Sequence, residues 1–288
     1  MSQRNNLERA LGANPVNPDQ GSPATETTSA TTFSFVTPTD FVDLPSKGRF
    51  YGEGHPLHNT ETIEIRHMTA KEEDILTSES LLKRGIAVDR LLQSVITDKT
   101  IKIQDLLVGD KNAVIMATRI TGFGPIYDTA VRCPSCSETN EHSFDLEELT
   151  LDTNEETPEN VTLLPNGNFQ LELEIGPNTF TVEMRLLTGA DEDKWTARKT
   201  KKKKLKLPES PITDQLKMII VGVNEFTEGN MIDQFINVLP TTASRRIRAV
   251  YEQMMPDVDM TQDFTCENCS YEGRVGVPLG VDFFWPDV

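Results

Sequence analysis

The sequence has no long apolar segment. Its longest uncharged apolar run covers residues 218–223, whereas a membrane-spanning helix needs ~20 apolar residues. The first twenty residues also contain no hydrophobic stretch of the kind found in secretory signals. We therefore expect a chain without a transmembrane segment that stays in the cytosol.

Motifs of the common enzyme classes are also missing. The sequence contains no GxSxG nucleophile elbow, no HExxH zinc-protease helix and no GxxxxGK phosphate loop. Three adjacent carboxylates, Glu72, Glu73 and Asp74, are expected at a helix start, where they complement the helix dipole and face water. We therefore predict that the protein is not an enzyme and has no small-molecule substrate.

Positive charge is scarce and unevenly placed. The 28 Lys and Arg residues against 45 Asp and Glu give a net charge of −17, and residues 133–184 contain no Lys or Arg at all. Seven positive charges lie within residues 198–206, which leaves 21 positive against 45 negative elsewhere, a net of −24. Because such a surface repels phosphate backbones, a nucleic-acid partner is not expected for most of the molecule.

Composition and residue periodicity divide the chain into six segments. The predicted segments are 1–38 as a disordered tail, 39–132 as a region of loop, strand and helices, 133–150 as a first zinc knuckle, 151–210 as an antiparallel β meander with a Lys-rich loop, 211–260 as a helical region, and 261–288 as a second zinc knuckle with the C-terminal residues.

Local signals predict the elements of the first half. Alternation over residues 62–67 indicates a strand, and Thr69 with Glu72 has the capping-box spacing of a helix start. Gly85 separates this helix from a second one over about residues 87–96. A third helix is expected to follow Asp110 as its N-cap and to end at Gly122.

The second half changes from strand to helical spacing. Strands are predicted at residues 160–164, 169–175 and 179–187, and the Asn166-Gly167 pair suits a tight hairpin turn between antiparallel strands. Three short helices are then expected, at about residues 213–223, 231–239 and 243–255.

All four cysteines lie in two CxxC pairs, Cys133/Cys136 and Cys266/Cys269, each flanked by strand-like runs. Four thiolates of this kind are typical of a structural zinc site. The pairs are 129 residues apart, far more than the 15–20 or so of the usual pattern, so the metal would join distant parts of the chain. We predict one structural zinc ion per chain.

Other interpretations of the cysteines stay open at this point. Disulfides would require an oxidising compartment, and a redox-active CxxC would normally lie in a βαβ context that neither pair has. His142 could replace one thiolate, although a solvent-facing histidine is favoured. The sequence thus predicts an α+β fold of helical segments plus an antiparallel β meander, held together by a zinc-ribbon-like pair of CxxC knuckles.

Three motifs carry a family resemblance. They are LPSKGRFY at residues 44–51, MTAKEEDILT at 68–77, and a CPxC knuckle that leads into FDLEEL at 144–149. Together they resemble a baseplate protein family of T-even-type contractile-tailed bacteriophages, whose members are described as baseplate hub subunits or hub assembly factors. The resemblance covers residues 41–150 well and 211–285 more loosely.

This resemblance implies a non-enzymatic late protein of tail assembly, made in the host bacterial cytoplasm, with retention in the virion tail baseplate left open. Other hub and tail proteins would be its partners. The candidate contact residues are Leu44, Pro45, Lys47, Arg49, Phe50 and Tyr51 in the first motif, and Lys201, Lys202, Lys203 and Lys204 in the basic segment. The alternative is a zinc-ribbon nucleic-acid-binding or transcription-associated protein that uses residues 199–206 as its contact.

Overall fold

A computed structural model describes residues 37–279 and 281–284. Except for residues 37 and 38, the predicted disordered tail lies outside the described residues. In the described part the helices are α1 (Ala70–Thr77), α2 (Glu79–Arg84), α3 (Ala87–Val95), α4 (Val108–Phe123), α5 (Gly189–Lys204), α6 (Pro211–Ile219), α7 (Gly229–Val238) and α8 (Thr241–Met254), with short 3-10 helices at Ile103–Asp105, Leu146–Glu148 and Val281–Phe284.

The strands form small antiparallel sheets between these helices. They are β1 (Thr39–Asp43), β2 (Thr62–Arg66), β3 (Ile126–Arg132), β4 (Thr139–Asp145), β5 (Thr150–Asp152), β6 (Val161–Leu163), β7 (Phe169–Ile175), β8 (Asn178–Met184), β9 (Ile220–Val223), β10 (Asp257–Asp259), β11 (Thr261–Thr265) and β12 (Glu272–Gly276). β1 pairs with β2, β3 with β4, β5 with β10 and β11 with β12, while β6 to β9 form one sheet in chain order. The predicted α+β class is confirmed. None of the described helices could span a membrane.

The helix signals of the first half are largely confirmed. Thr69 and Glu72 form the predicted capping box of α1, and Gly85, with a φ of 68°, ends α2 in the left-handed conformation. The single helix expected between them is divided at Ser78 into α1 and α2. The boundaries of α4 were predicted wrongly: it begins two residues before Asp110 and is ended by Gly124.

The meander of β6, β7 and β8 is confirmed, but it gains a fourth strand. Residues 220–223, predicted as the end of a helix, pair with β8 instead, with Val182 opposite Val223. Ile220, Val221 and Val223 are β-branched, which favours an extended backbone once α6 has ended. The sheet therefore crosses the boundary that we predicted between residues 210 and 211.

The Lys-rich segment is also not the loop that the sequence suggested. Residues 198–204 form the C-terminal half of α5, which begins with a capping box between Thr188 and Asp191. Asp191 is buried and pairs with Arg185 at 2.6 Å and with Lys194 at 3.2 Å. The beginning of the helix is therefore anchored on Arg185, which directly follows β8, and the basic half extends away from this anchor.

One hydrophobic core connects the sheet, the helices and both cysteine hairpins, and half of the residues of α4 are buried. Gly109 in α4 lies against β10 so closely that a Cβ there would be 2.1 Å from the carbonyl oxygen of Pro256. At the other end of α4, fully buried Arg119 donates to the carbonyl oxygens of Gly124 and Phe283, both at 2.8 Å. Among the described residues no carboxylate pairs with Arg119. The positive charge of its guanidinium is therefore stabilised by the dipoles of backbone carbonyl groups.

Glu72 does not face water, contrary to the expectation for the carboxylate cluster. It is fully buried, whereas Glu73 and Asp74 are exposed. Its carboxylate pairs with Arg66 of β2 at 2.6 Å and accepts from the Ser94 hydroxyl of α3 at 2.7 Å. Burial alone raises the pKa of Glu72, but these donors and Thr69 outweigh it and hold the pKa well below its ordinary value.

We expect Glu72→Gln to lower the free energy of unfolding by about 2–4 kcal/mol at neutral pH, because partly buried Arg66 loses its charged partner. Glu73→Gln is the matched control, and its exposed side chain should change stability by less than about 0.5 kcal/mol. Urea unfolding of both variants measures the difference, and equal losses would contradict the assignment.

The same carboxylate predicts a pH dependence. Because its pKa is lower in the folded state than in the unfolded state, its contribution is complete above about pH 5 and is lost as the pH falls below about 4. The unfolding free energies of the wild type and Glu72→Gln should therefore converge in acid. A difference that stays constant between about pH 7 and pH 3 would argue against this role.

Candidate functional site

Both CxxC pairs lie at the tips of β hairpins with the same register. Arg132 pairs with Thr139 across the first tip and Thr265 with Glu272 across the second, so the loops are residues 133–138 and 266–271. In each loop the carbonyl of the first cysteine accepts from the amide of the serine four residues later. Ser137 N–H donates to the Cys133 carbonyl at 3.0 Å, and Ser270 N–H to the Cys266 carbonyl at 2.9 Å. Both serines have positive φ values, 62° and 53°. We call each loop with its two strands a knuckle.

The two knuckles bring the four thiols together. All four sulfur atoms lie within 4.8 Å of one another. The Cys133 and Cys269 sulfurs are 3.7 Å apart, and so are those of Cys136 and Cys266. A disulfide would need about 2.05 Å, so these are free thiols. A tetrahedron of metal–sulfur bonds of about 2.3 Å places its sulfur atoms about 3.8 Å apart. The cluster therefore has the geometry of a four-coordinate metal site.

Backbone amides and the neighbouring thiols set the electrostatics of the cluster. The amide of Cys269 lowers the pKa of the Cys266 thiol to about 6, and the amide of Glu138 lowers the pKa of Cys136. The amide of Tyr271 lowers the pKa of Cys269, but burial and the nearby sulfurs outweigh it and raise that pKa to about 11. Four adjacent thiolates repel one another, and a divalent cation would remove this repulsion.

Two asparagine side chains contact the cluster, and sequence reasoning missed both. Buried Asn140 of β4 donates from Nδ2 to the Cys266 sulfur at 3.5 Å and accepts from the Glu267 amide at 3.0 Å. Asn268 donates from Nδ2 to the Cys136 sulfur at 3.8 Å. Each knuckle thus donates an amide to a sulfur of the other. The one signal that could have indicated a role for Asn140 is its place in β4. It occupies an inward-facing position of a strand whose neighbouring residues are polar or charged.

His142 lies outside the cluster. Its ring packs edge-on against Phe144 at 4.6 Å and against Phe264 at 5.5 Å between centroids, and the metal-competent group contains only the four cysteines among the described residues. His142 is half-buried, so the expectation of a solvent-facing side chain was wrong. It fills space between the two hairpins.

The hairpins also meet through contacts that need no metal. β5 pairs with β10 just beyond the knuckles, with Asp152 opposite Asp257. The Gln262 side chain of β11 accepts from the backbone amide of Asp145 at 3.1 Å and donates to its carbonyl oxygen. The thiol cluster is therefore formed on two elements that other parts of the fold already bring together.

The first candidate contact surface, residues 44–51, is mostly internal. Leu44, Phe50 and Tyr51 are 1%, 5% and 4% exposed, and Pro45 is buried as well. Lys47 and Arg49 keep part of their side chains at the surface. Partner contact through this loop stays a prediction, and only these two basic side chains are available for it.

Asp110 explains why this loop is internal. Its buried carboxylate accepts from the Ser46 hydroxyl at 2.6 Å and the Tyr51 hydroxyl at 2.7 Å, and Tyr51 in turn accepts from the Leu107 amide at 3.0 Å. Burial raises the pKa of Asp110, although the hydrogen bonds oppose the shift. The loop is thus held against the start of α4.

The second candidate surface is mostly exposed. Lys201, Lys203 and Lys204 are exposed at the end of α5. Lys202 is half-buried beside Asp214 of α6 and Ser210, the residue before that helix. The structure brings neither this surface nor residues 44–51 into contact with the thiol cluster through any described hydrogen bond or ion pair. The four cysteines are therefore the one set of candidate site residues that converges.

Comparison with known proteins agrees with the motifs. The family model described as T4 bacteriophage base plate protein matches residues 38–285. No curated protein and no solved structure matches the chain. The match includes both knuckles, the four-stranded sheet and all eight described helices. Since it spans well over half of the sequence, the chain belongs to the T4 bacteriophage base plate protein family.

Proposed function

We propose that the protein is a non-enzymatic structural or assembly component of the baseplate hub of a contractile-tailed phage. Membership of the baseplate family supports the structural role. The hub assignment rests on the motifs at residues 44–51 and 68–77, which resemble hub subunits and hub assembly factors. Assembly would take place in the host bacterial cytoplasm, and the virion tail baseplate would be the final location.

We further propose that the thiol cluster binds one zinc ion per chain, held by Cys133, Cys136, Cys266 and Cys269. The convergence of four thiols at 3.7–4.8 Å is the observation that supports it. Four-sulfur tetrahedral sites favour zinc or iron–sulfur clusters, and a single ion suits sulfurs this close together. A shell of four thiolates leaves no position for water, so the role would be structural.

Zinc would connect the two ends of the segment 137–265, which contains the acidic stretch, the sheet and helices α5 to α8. Such a link restricts the unfolded chain and therefore contributes its binding free energy to folding. A rigid segment of this kind would present fixed surfaces to other tail proteins. Lys47, Arg49 and the lysines at the end of α5 are the proposed contact residues within those surfaces.

The nucleic-acid alternative has one observation in its favour, the exposed basic end of α5. The remaining net charge of −24 would oppose the approach of a phosphate backbone. The baseplate family gives no support to a transcription-associated role. We therefore favour a protein partner for this helix.

Elemental mass spectrometry of the purified protein is expected to find one zinc per chain. Cys266→Ser should lose the metal and melt at lower temperature, because three thiolates bind zinc less tightly and the link is broken. Ser135→Ala, an exposed change in the other knuckle, is the control and should keep both metal and melting temperature. Metal-free protein whose stability does not respond to added zinc or to chelators would refute the proposal.

Asn140→Ala tests the contact between the knuckles. The variant should still bind zinc but release it to a chelator roughly 10–100-fold more readily, as for other residues that orient metal ligands. Asn268→Ala should have a smaller effect, because its 3.8 Å contact is longer and more exposed. Unchanged release from both variants would show that these amides do not support the metal.

Coexpression with the hub and tail proteins of a related phage tests the hub assignment. The tagged protein is expected to co-purify with at least one of them at physiological salt. A solitary monomer in the presence of the full hub set would count against a hub role. This outcome would leave the zinc proposal intact, because metal content is measured on the protein alone.

A further inference from the structure

The basic end of α5 is unusual because burial does little to stabilise it. Only Gly189 and Asp191 of the helix are buried, and from Arg198 to the end of the helix only Lys202 is as much as half-buried. Most helices in proteins are stabilised by an apolar face that packs on the core. Here the basic half has no such face.

The positive charges on this helix end are nearly all unpaired. Lys202 pairs with Asp214, but no other cation of residues 198–206 has an ion-pair partner among the described residues. Lys199 and Lys203 lie one turn apart on the same side, where like charges repel. The helix dipole stabilises cations only in the last turn of a helix. Arg198 and Lys199 precede that turn, so the dipole does not stabilise them. The arrangement thus concentrates repulsion that an acidic partner would relieve.

The same chain carries a concave acidic surface elsewhere. A groove of about 610 Å³ lies beside β5 and the end of α8, and its lining includes Asp152, Glu155, Glu156, Glu159 and Gln253. All four carboxylates are exposed. Glu155 pairs with Lys47, whereas the other three have no ion-pair partner among the described residues.

This acidic groove has a defined shape. Arg49 donates to the carbonyl oxygens of Thr153 at 2.8 Å and Asn154 at 3.0 Å, and the Asn154 side chain donates to the carbonyl oxygen of Met255 at 2.6 Å. The segment that carries the acidic residues is therefore attached both to the loop at residues 44–51 and to the end of α8. Its carboxylates are presented on a fixed backbone.

We propose that the basic end of α5 in one copy of the protein binds the acidic groove at residues 152–159 of a second copy. Charge complementarity between the two surfaces is the basis of this assignment. No described hydrogen bond or ion pair joins them within one chain, so each is available to another copy. The inference rests on the proposed use of α5 as a contact surface and adds the identity of its partner.

Contact between two different surfaces is head-to-tail. Copies joined in this way form a closed ring if the rotation between neighbouring copies brings the last copy back to the first. Otherwise they form an open filament. The overall negative charge opposes association at long range, whereas the local contact is attractive. Because the contact itself joins exposed opposite charges, its attraction should weaken as salt shortens the screening length from about 10 Å at 0.1 M to about 3 Å at 1 M.

The test uses sedimentation velocity of the purified full-length protein with two charge-reversal variants. One is Lys199→Glu/Lys203→Glu on the helix, and the other is Glu156→Lys/Glu159→Lys in the groove. All four side chains are exposed, so both variants should fold. The wild type is expected to associate at about 0.1 M salt and to dissociate at about 1 M salt. Each variant alone should associate at least about tenfold more weakly.

Mixing the two variants gives the decisive result. The acidic helix of the first matches the basic groove of the second, and the remaining helix and groove are unchanged, so association should return in the mixture only. The control variant is Lys71→Glu/Lys102→Glu, which carries the same charge change as the helix variant. Its two positions are exposed and distant in sequence from both surfaces. It should therefore associate like the wild type.

A monomeric wild type at about 0.1 M salt, or a mixture that stays dissociated, would overturn the proposal. If the wild type is monomeric but the helix variant loses tail-protein partners in the coexpression experiment, the proposed function stands and self-association fails. If the helix variant instead loses salt-sensitive binding to a DNA duplex, α5 serves nucleic acid and the second copy is excluded as its partner.

Discussion

The meeting of two β hairpins whose cysteine pairs are 129 residues apart is the constraint on which the rest of the fold depends. Four sulfur atoms lie within 4.8 Å at their tips, and the β5–β10 pair and Gln262 join the strands behind them. The chain between the hairpins, which includes the four-stranded sheet and α5, therefore begins and ends at the same place in the fold. The acidic character of the segment after Cys133 is compatible with this closure because most of its carboxylates are exposed to solvent.

Local signals in the sequence predicted much of this fold. The capping box of Thr69 and Glu72, Gly85 and the Asn166-Gly167 turn act through neighbouring atoms, so their structural effect could be inferred without tertiary contacts. The cysteine spacing likewise indicated the site, since thiols in CxxC turns can converge whatever lies between them. Each of these signals is complete within a few residues, and only the meeting of the two CxxC pairs requires the rest of the fold.

The errors have a common physical origin in tertiary contacts. Residues 220–223 were assigned to a helix because apolar spacing alone does not reveal the free edge of β8 that they join. Glu72 was placed at the surface because its buried partners, Arg66 and Ser94, come from other elements. Asn140 was missed because its contact is with the opposite knuckle. In each case the determining partner is distant in sequence, and a pattern of neighbouring residues carries no information about it.

Buried Arg119 has a consequence for the order in which the protein forms during synthesis. Its guanidinium is engaged by carbonyl oxygens of Gly124 and Ile126, which follow within a few residues, and by that of Phe283, which the ribosome adds more than 160 residues later. Until then the Nε–H group of Arg119 has no protein acceptor and must stay hydrated, and the first pair of thiols has no counterpart. The nascent chain can therefore complete its sheet early, but the centre of the molecule closes only after translation has reached the last described residues.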